Sequence, residues 1–198
     1  MVKQERATRT RLALVRAAAQ EIDRRGYDGT TLAQVCDAAD ASKGALTFHF
    51  RTKYDLAHEV QIQGAALTRL AAERALALRY PPLRAVGDLV VEIARLLETD
   101  VVVRSAARLA REFPGSVCWT NTWLPGVDAL LGQARDSGGL RPSADPGAVA
   151  ALLVSLLTGI ETTVREHAWG PVASPESAAV MARRFWELVR AGIETESC

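Results

Sequence analysis

Cysteine, methionine, histidine and aromatic residues are all scarce in this chain: 3 Cys, 2 Met and 3 His among 198 residues, with aromatics at 6%. Each scarcity excludes something. Cys36, Cys118 and Cys198 are odd in number, widely spaced and outside any C-x-x-C or Cys/His cluster, so neither a disulfide framework nor a zinc site is indicated, and a reducing compartment fits. His49, His58 and His167 stand far apart, and the chain has no G-x-S-x-G, no H-E-x-x-H and no phosphate-cradling glycine loop. An enzyme with an apolar pocket is therefore a poor reading, and no cofactor is expected. Charge of one sign is missing too, with a formal net charge of +1 and a pI of about 7.8. This leaves nucleic acid open, because binding it needs a local basic surface and not a basic total. No uninterrupted apolar run reaches the roughly 18 residues of a membrane span, and the N-terminus is polar where a signal peptide needs an apolar segment. The expected location is the cytoplasm, with no membrane partner.

What the chain does have is helical periodicity. A hydrophobic fraction of 48% can bury a full core, and no strand pattern competes. The fold expected is all-α with about nine helices: a three-helix helix-turn-helix DNA-binding domain over residues 1–52, then a helical ligand-binding and dimerisation domain over residues 53–198. The first helix is expected from about Ala7 to Arg25, with Leu12, Val15, Ala19 and Ile22 on its buried face and Gly26 as its stop, followed by a turn at Tyr27-Asp28-Gly29. The fourth is expected from Lys53 to about Leu78, ended by Pro81-Pro82. Amphipathic helices over Leu83 to Glu98, Val101 to Glu112, Thr122 to Arg135, from after Asp145-Pro146 to about His167, and Pro175 to about Ile193 complete the body. Lys3, Arg6, Arg9, Arg11 and Arg16, against Glu5 alone, give the first sixteen residues a positive excess that suits either a phosphate backbone or a solvated helix start.

The informative stretch is Ala41 to Leu56. Thr30 or Thr31 can cap a helix through Leu32, Val35, Cys36 and Ala39, and Asp40-Ala41 makes a turn of helix-turn-helix length. Ser42 can cap a second short helix, and Thr52 with Asp55 three residues on resembles a capping box that opens a third. Ser42, Lys43 and Gly44 then sit at a helix N-terminus. There, free N–H groups favour phosphate, and side chains first reach base edges in a major groove. Lys43 can donate to guanine O6 and N7, and Gly44 permits close approach. Thr47 and His49 fall within reach of phosphate, and Lys53 aims at the backbone. Taken alone, His49 is better read as a plain surface or capping histidine.

Thr30-Thr31-Leu32, Val35, Ser42-Lys43-Gly44-Ala45-Leu46, Phe48-His49-Phe50, Lys53 and Asp55-Leu56 together resemble the N-terminal domain of TetR-family transcriptional repressors. The start Lys3 to Arg9, the segment Glu112-Phe113-Pro114 followed by Trp119, and Gly139-Leu140-Arg141-Pro142 with Asp145-Pro146 resemble the γ-butyrolactone receptors within that family. Two positions depart: Thr47 stands where the family usually has tyrosine, and Asp40 where it usually has glycine. The threonine hydroxyl lies close to the backbone, which weakens phosphate contact, while Asp tolerates the left-handed conformation that such a turn requires.

The resemblance implies a homodimeric repressor of a double-stranded DNA operator, released by a small-molecule effector. Its DNA-contacting set is Arg9, Thr31, Ser42, Lys43, Gly44, Thr47, His49 and Lys53. Trp119 occupies the place of the tryptophan that lines the butyrolactone pocket, and Phe113, Trp123, Thr158, Glu161 and Thr162 are candidates to join it. By spacing alone Trp119 and Trp123, one helical turn apart, are better read as core, and the small and hydroxyl residues around Gly159 read equally as close helix packing. The last two helices are implied to form the dimer interface, through Leu152, Leu156, Ile160, Phe185 and Leu188. Two alternatives stay open: a pseudo-receptor of the same fold answering to an antibiotic or intermediate, toward which the more basic pI leans, and an interaction protein with no ligand.

Overall fold

The computed structural model describes residues 2–78, 80–112, 117–169 and 176–195. Among the described residues there are nine α-helices and no β-strand: α1 (Val2–Gly29), α2 (Leu32–Ala38), α3 (Lys43–His49), α4 (Lys53–Leu76), α5 (Pro82–Thr99), α6 (Val101–Glu112), α7 (Leu124–Asp136), α8 (Pro146–Trp169) and α9 (Ala178–Ile193). They divide into two compact units. The first comprises residues 1–65 and 100–119, the second residues 66–99 and 120–198. The contacts thus divide the chain elsewhere than at residue 52. The physical reason is that α6 packs along α1, so a segment far away in sequence completes the unit that holds the helix-turn-helix.

In the first unit, α1 buries Leu14, Val15, Ala18, Ala19 and Ile22 against Val35 of α2, Leu46 of α3, Leu56 and Val60 of α4 and Leu109 of α6. The buried stripe is displaced from the expected one: Leu12 is 53% exposed, and Leu14 faces inward in its place. Gly26 does interrupt α1, with φ 79° and ψ 172°, but the chain resumes helical geometry to Gly29 where a turn was expected. Backbone there is essentially restricted to glycine. The space is restricted too, since a Cβ on Gly26 would stand 2.8 Å from Nη2 of Arg108.

An ion pair ties α1 to α4: Arg11 Nη1 lies 2.7 Å from Glu59 Oε1, with the Arg11 guanidinium also over the Phe50 ring at 5.2 Å. The hydrogen bond from Arg11 holds the Glu59 carboxyl below its ordinary value near 4.5, against the opposing effect of burial and helped by a second bond from Gln63. A lowered folded-state pKa means that this contribution is present above the unfolded carboxylate range and is lost as pH falls through the folded value. With Arg11 well exposed, the pair contributes at most about 1 kcal/mol. Glu59→Gln should therefore lower the melting temperature slightly at pH 7, and the gap should close when both proteins are melted at acid pH, once the parent carboxyl is protonated.

The second unit is organised on α5, whose Leu83, Val86, Leu89, Val90, Ile93 and Leu97 are buried against α7, α8 and α9. Gly87 is the point of closest approach, because a Cβ there would collide with the indole of Trp186 on α9. The end of α9 is pinned by backbone bonds from Arg141 N to Ile193 O at 2.8 Å and from Thr195 N to Gly139 O at 3.0 Å. Several helix ends differ from expectation, beginning with α1, which starts at Val2 and not at about Ala7. α4 stops at Leu76, and Pro82 opens α5 instead of merely ending the helix before it, as a proline at the first helical position does. α9 begins at Ala178 behind its N-cap Ser177, and Pro175 lies outside the described residues. The chain from Trp119 to Thr122 is a 3₁₀ turn, with Trp123 as the N-cap position of α7.

Candidate nucleic-acid interface

The helix-turn-helix is assembled by local chemistry. Thr31 caps α2 reciprocally with Gln34: the Thr31 hydroxyl accepts from Gln34 N at 3.3 Å, and Thr31 N donates to Gln34 Oε1 at 2.9 Å. Asp40 takes the turn at φ 48°, the sole positive-φ residue other than glycine among the described residues. Ser42 caps α3 by accepting from Ala45 N at 3.1 Å. Thr52 and Asp55 form the second reciprocal cap, with Thr52 N to Asp55 Oδ2 and Asp55 N to Thr52 Oγ1 both at 3.0 Å. A seven-residue helix does not hold in water by itself. α3 holds because Leu46 and its C-cap Phe50 are anchored in the core of the first unit.

With that side fixed, α3 turns Lys43, Gly44, Thr47 and Phe48 to solvent, and Ser42 with them. A groove between α2 and α3, lined by Leu32, Ala33, Cys36, Asp37, Ala41, Lys43, Leu46 and Thr47, runs along the inner edge of this surface. Two of the expected contacts look different in place. The Thr47 hydroxyl donates back to the carbonyls of Lys43 and Gly44 at 3.0 and 3.1 Å, so its proton is already engaged within its own helix. Lys53 is half-buried, with its ammonium 4.3 Å from the centre of the Tyr27 ring and 3.4 Å from the Asp28 carbonyl. In this position it braces the end of α1. His49 is also half-buried, edge-on to Phe48 with ring centroids 5.0 Å apart.

Two surface residues were missed. Phe48 is 80% exposed on the recognition helix, a costly place for an aromatic ring unless something covers it, and Arg51 is exposed at the α3–α4 junction. No pattern rule flags either one, because a single aromatic or arginine carries no period. Arg9 is exposed as expected, together with Arg6 and Arg16, whereas Arg11 is engaged by Glu59.

The residues expected around a ligand are not all in one unit. Trp119 belongs to the first, and Trp123, Thr158, Glu161 and Thr162 to the second. Both tryptophans are buried, but they do not share a turn of one α-helix, since the 3₁₀ turn intervenes. Glu161 is buried and lies 3.3 Å from Arg165 Nε, and the Thr162 hydroxyl donates to the Thr158 carbonyl at 3.0 Å. Phe113 falls outside the described residues. Among those described, no group of three or more His, Cys, Asp or Glu could hold a metal.

A capped seven-residue helix exposing a lysine and a glycine at its N-terminus, seated on a second helix across a left-handed turn, has the form of a helix-turn-helix. Residues 14–60 match the family of bacterial regulatory proteins called the tetR family. The A-factor receptor protein of Streptomyces griseus is 28% identical over 163 residues, which is 81% of this chain but only 57% of that relative's length. The chain thus spans little more than half of the relative. CprB from S. coelicolor A3(2), a TetR family protein, matches with a TM-score of 0.81 and 29% identity over 97% of this chain and 92% of CprB. A γ-butyrolactone receptor described as ArpA-like matches with a TM-score of 0.77 and 27% identity, over 96% of this chain and 90% of the other. Residues 14–60 thus match a TetR-family domain, and the chain as a whole resembles the γ-butyrolactone receptors.

Proposed function

We propose that this protein is a cytoplasmic, homodimeric transcriptional repressor that binds a pseudo-palindromic operator and is released by a small molecule of the γ-butyrolactone type. The observation that carries the DNA half of this reading is the exposed first turn of α3, where Lys43 and Gly44 stand on a scaffold fixed by Leu46 and Phe50. It is supported by CprB, which has been solved in complex with its biological operator sequence. The effector class rests on the relatives: one is a receptor for A-factor and another a γ-butyrolactone receptor.

The dimer reading is supported by the last two helices. Phe185 and Leu152 are exposed and Leu188 is 72% exposed, so α8 and α9 carry apolar surface that one protomer leaves uncovered. α8 is apolar enough by composition to resemble a membrane span, yet only 33% of that stretch is buried within the protomer. A second copy of the same pair of helices would cover such a face. Leu156 is half-buried, and Ile160, at 2% exposure, belongs to the protomer's own core and leaves the interface set.

A symmetric dimer would present its two recognition helices about 34–36 Å apart, one turn of DNA. Selecting bound fragments from the host genome gives the operator, and three variants then test the interface. Lys43→Ala should cost about 1–3 kcal/mol of specific binding and relax preference at one base position. Arg51→Ala should weaken all sequences alike and reduce the salt slope by about one. Lys53→Ala should act mainly on stability, by releasing Tyr27 and the end of α1. Unchanged affinity of the Lys43 variant for the selected site at one salt concentration would sink the assignment of α3 as the base-reading helix.

A further inference from the structure

We infer that Gln61 of α4 and Ser105 of α6 are the polar recognition groups of the effector site, and that the effector group they take is uncharged: a hydroxyl or carbonyl, not a carboxylate. The inference rests on the ligand-responsive reading above and names the chemistry of its ligand. Gln61 is 1% exposed and Ser105 0%. Neither the Gln61 amide oxygen, nor its nitrogen, nor the Ser105 hydroxyl makes a hydrogen bond within the protein. Burying such groups unsatisfied costs about 1–3 kcal/mol each, and native proteins keep few of them without a use.

Their positions on the helices suggest that use. α4 and α6 cross so closely at Gly64 that a Cβ there would collide with the Ala106 methyl and lie 2.8 Å from the Val102 carbonyl oxygen. Gln61 is one turn before Gly64 and Ser105 one turn after Val102. Both orphaned side chains thus stand within one turn of this crossing, on the two helices that make it, and all of these residues lie in the first unit. A primary amide offers a donor and an acceptor side by side, and a hydroxyl offers both at one atom. A hydroxyl group next to a lactone carbonyl complements that set.

An anion does not. The buried charged residues of this unit are Asp23 and Arg104, and they are committed to each other through Arg104 Nε to Asp23 Oδ1 at 3.0 Å and Nη2 to Oδ2 at 2.9 Å. A carboxylate brought to Gln61 would be a buried charge with no counter-charge to spare, the arrangement proteins avoid most.

The test uses the full-length protein on its selected operator. The probes are a γ-butyrolactone bearing a free hydroxyl and an alkyl chain, and the ring-opened hydroxy acid made from it by base hydrolysis. The reading is the probe concentration that releases half the DNA, corrected for each variant's own operator affinity. The lactone should act on the parent at concentrations at least about tenfold below the hydroxy acid. Gln61→Leu should raise the lactone concentration about tenfold or more, and Ser105→Ala several-fold, the range expected for lost hydrogen bonds. Without probe, both variants should melt at or above the parent temperature, since an unsatisfied polar group has been removed.

If both variants respond to the lactone like the parent, buried water serves these groups and the assignment fails while the lactone reading stands. The assignment fails equally if Gln61→Leu melts lower and Ser105→Ala keeps full sensitivity, because the two side chains are then structural. If the parent answers to the hydroxy acid as well as to the lactone, the uncharged-group assignment is overturned. If the parent answers to neither, the lactone reading itself is wrong, and this inference falls with it.

Discussion

Asp23→Ala should destabilise the protein by about 3–5 kcal/mol, one of the largest effects expected of any single substitution in this chain. Asp23 is 0% and Arg104 7% exposed in their side chains, and the guanidinium meets the carboxylate through both Nε and Nη2 at 2.9–3.1 Å. Taking two charges out of water costs several kcal/mol per ion, which only their mutual attraction and good geometry offset. Removing Asp23 leaves the arginine buried without its counter-charge and keeps the desolvation cost. At roughly 2–4 °C per kcal/mol for a chain of this size, the melting temperature should fall by about 6–20 °C. The double replacement Asp23→Leu with Arg104→Met should recover most of that loss, because it removes the cost together with the attraction. An Asp23→Ala protein that melts within a few degrees of the parent would mean that the pair is not shielded as described.

This pair is the first rung of a ladder that α6 lays against the end of α1. One turn on, Arg108 Nη1 donates to the Asp23 carbonyl oxygen at 2.7 Å and pairs with Glu112 at 2.6 Å. Glu112 in turn accepts from Tyr27 N at 3.2 Å, just past the Gly26 break. Residues 104, 108 and 112 are spaced four apart, so they line one stripe of α6. That stripe closes the backbone groups that the interruption at Gly26 would otherwise leave open, and so fixes the helix that packs against α2, α3 and α4. Losing the first rung should therefore lower operator affinity along with stability.

None of this ladder was legible in the sequence, and the reason separates what a sequence shows from what it hides. The caps at Thr31, Ser42 and Thr52 were readable because each is a bond between neighbours three residues apart, decided by residue type. The turn at Asp40 was readable for the same reason. Amphipathic period gave α6 to the residue, from Val101 to Glu112, but a period names the buried face and not the partner on the other side. That Arg104 meets Asp23, 81 residues away, is a fact of tertiary packing alone. Leu12 failed for a related reason: Leu12 and Leu14 are equally apolar, and only the seat of α2 and α6 on α1 decides which of them is covered. Lys53 reads as an exposed cation until Tyr27 is placed beneath it. The tryptophans are buried, as their core reading expected, but a spacing of four places two residues on one face only in an α-helix, and Trp119–Thr122 is 3₁₀.

Gly64→Ala should reduce operator affinity at least about tenfold, equivalent to roughly 1.4 kcal/mol, although the substitution is far from the recognition helix. Replacing a helical glycine by alanine ordinarily stabilises by about 0.4–1 kcal/mol where the space allows. Here the new methyl would overlap that of Ala106 and stand 2.8 Å from the Val102 carbonyl oxygen and 3.4 Å from its carbon. Backbone atoms cannot rotate away, so α4 and α6 must separate, an overpacking strain of about 1–3 kcal/mol. α4 carries Leu56, Ala57 and Val60 into the core that positions α3, and it starts at Lys53, three residues after the C-cap of the recognition helix. Moving α4 against α6 therefore disturbs the scaffold of the reading head without touching a DNA-facing side chain. Ala106→Gly in the same chain removes the colliding methyl and should restore much of the affinity, with the Val102 contact as the residual cost. Because the two sites are in contact, their effects should be non-additive, and a double-mutant cycle on operator affinity measures that coupling. Full operator affinity in Gly64→Ala, or no recovery in the double variant, would show that the α4–α6 crossing does not set the position of the DNA-reading helix.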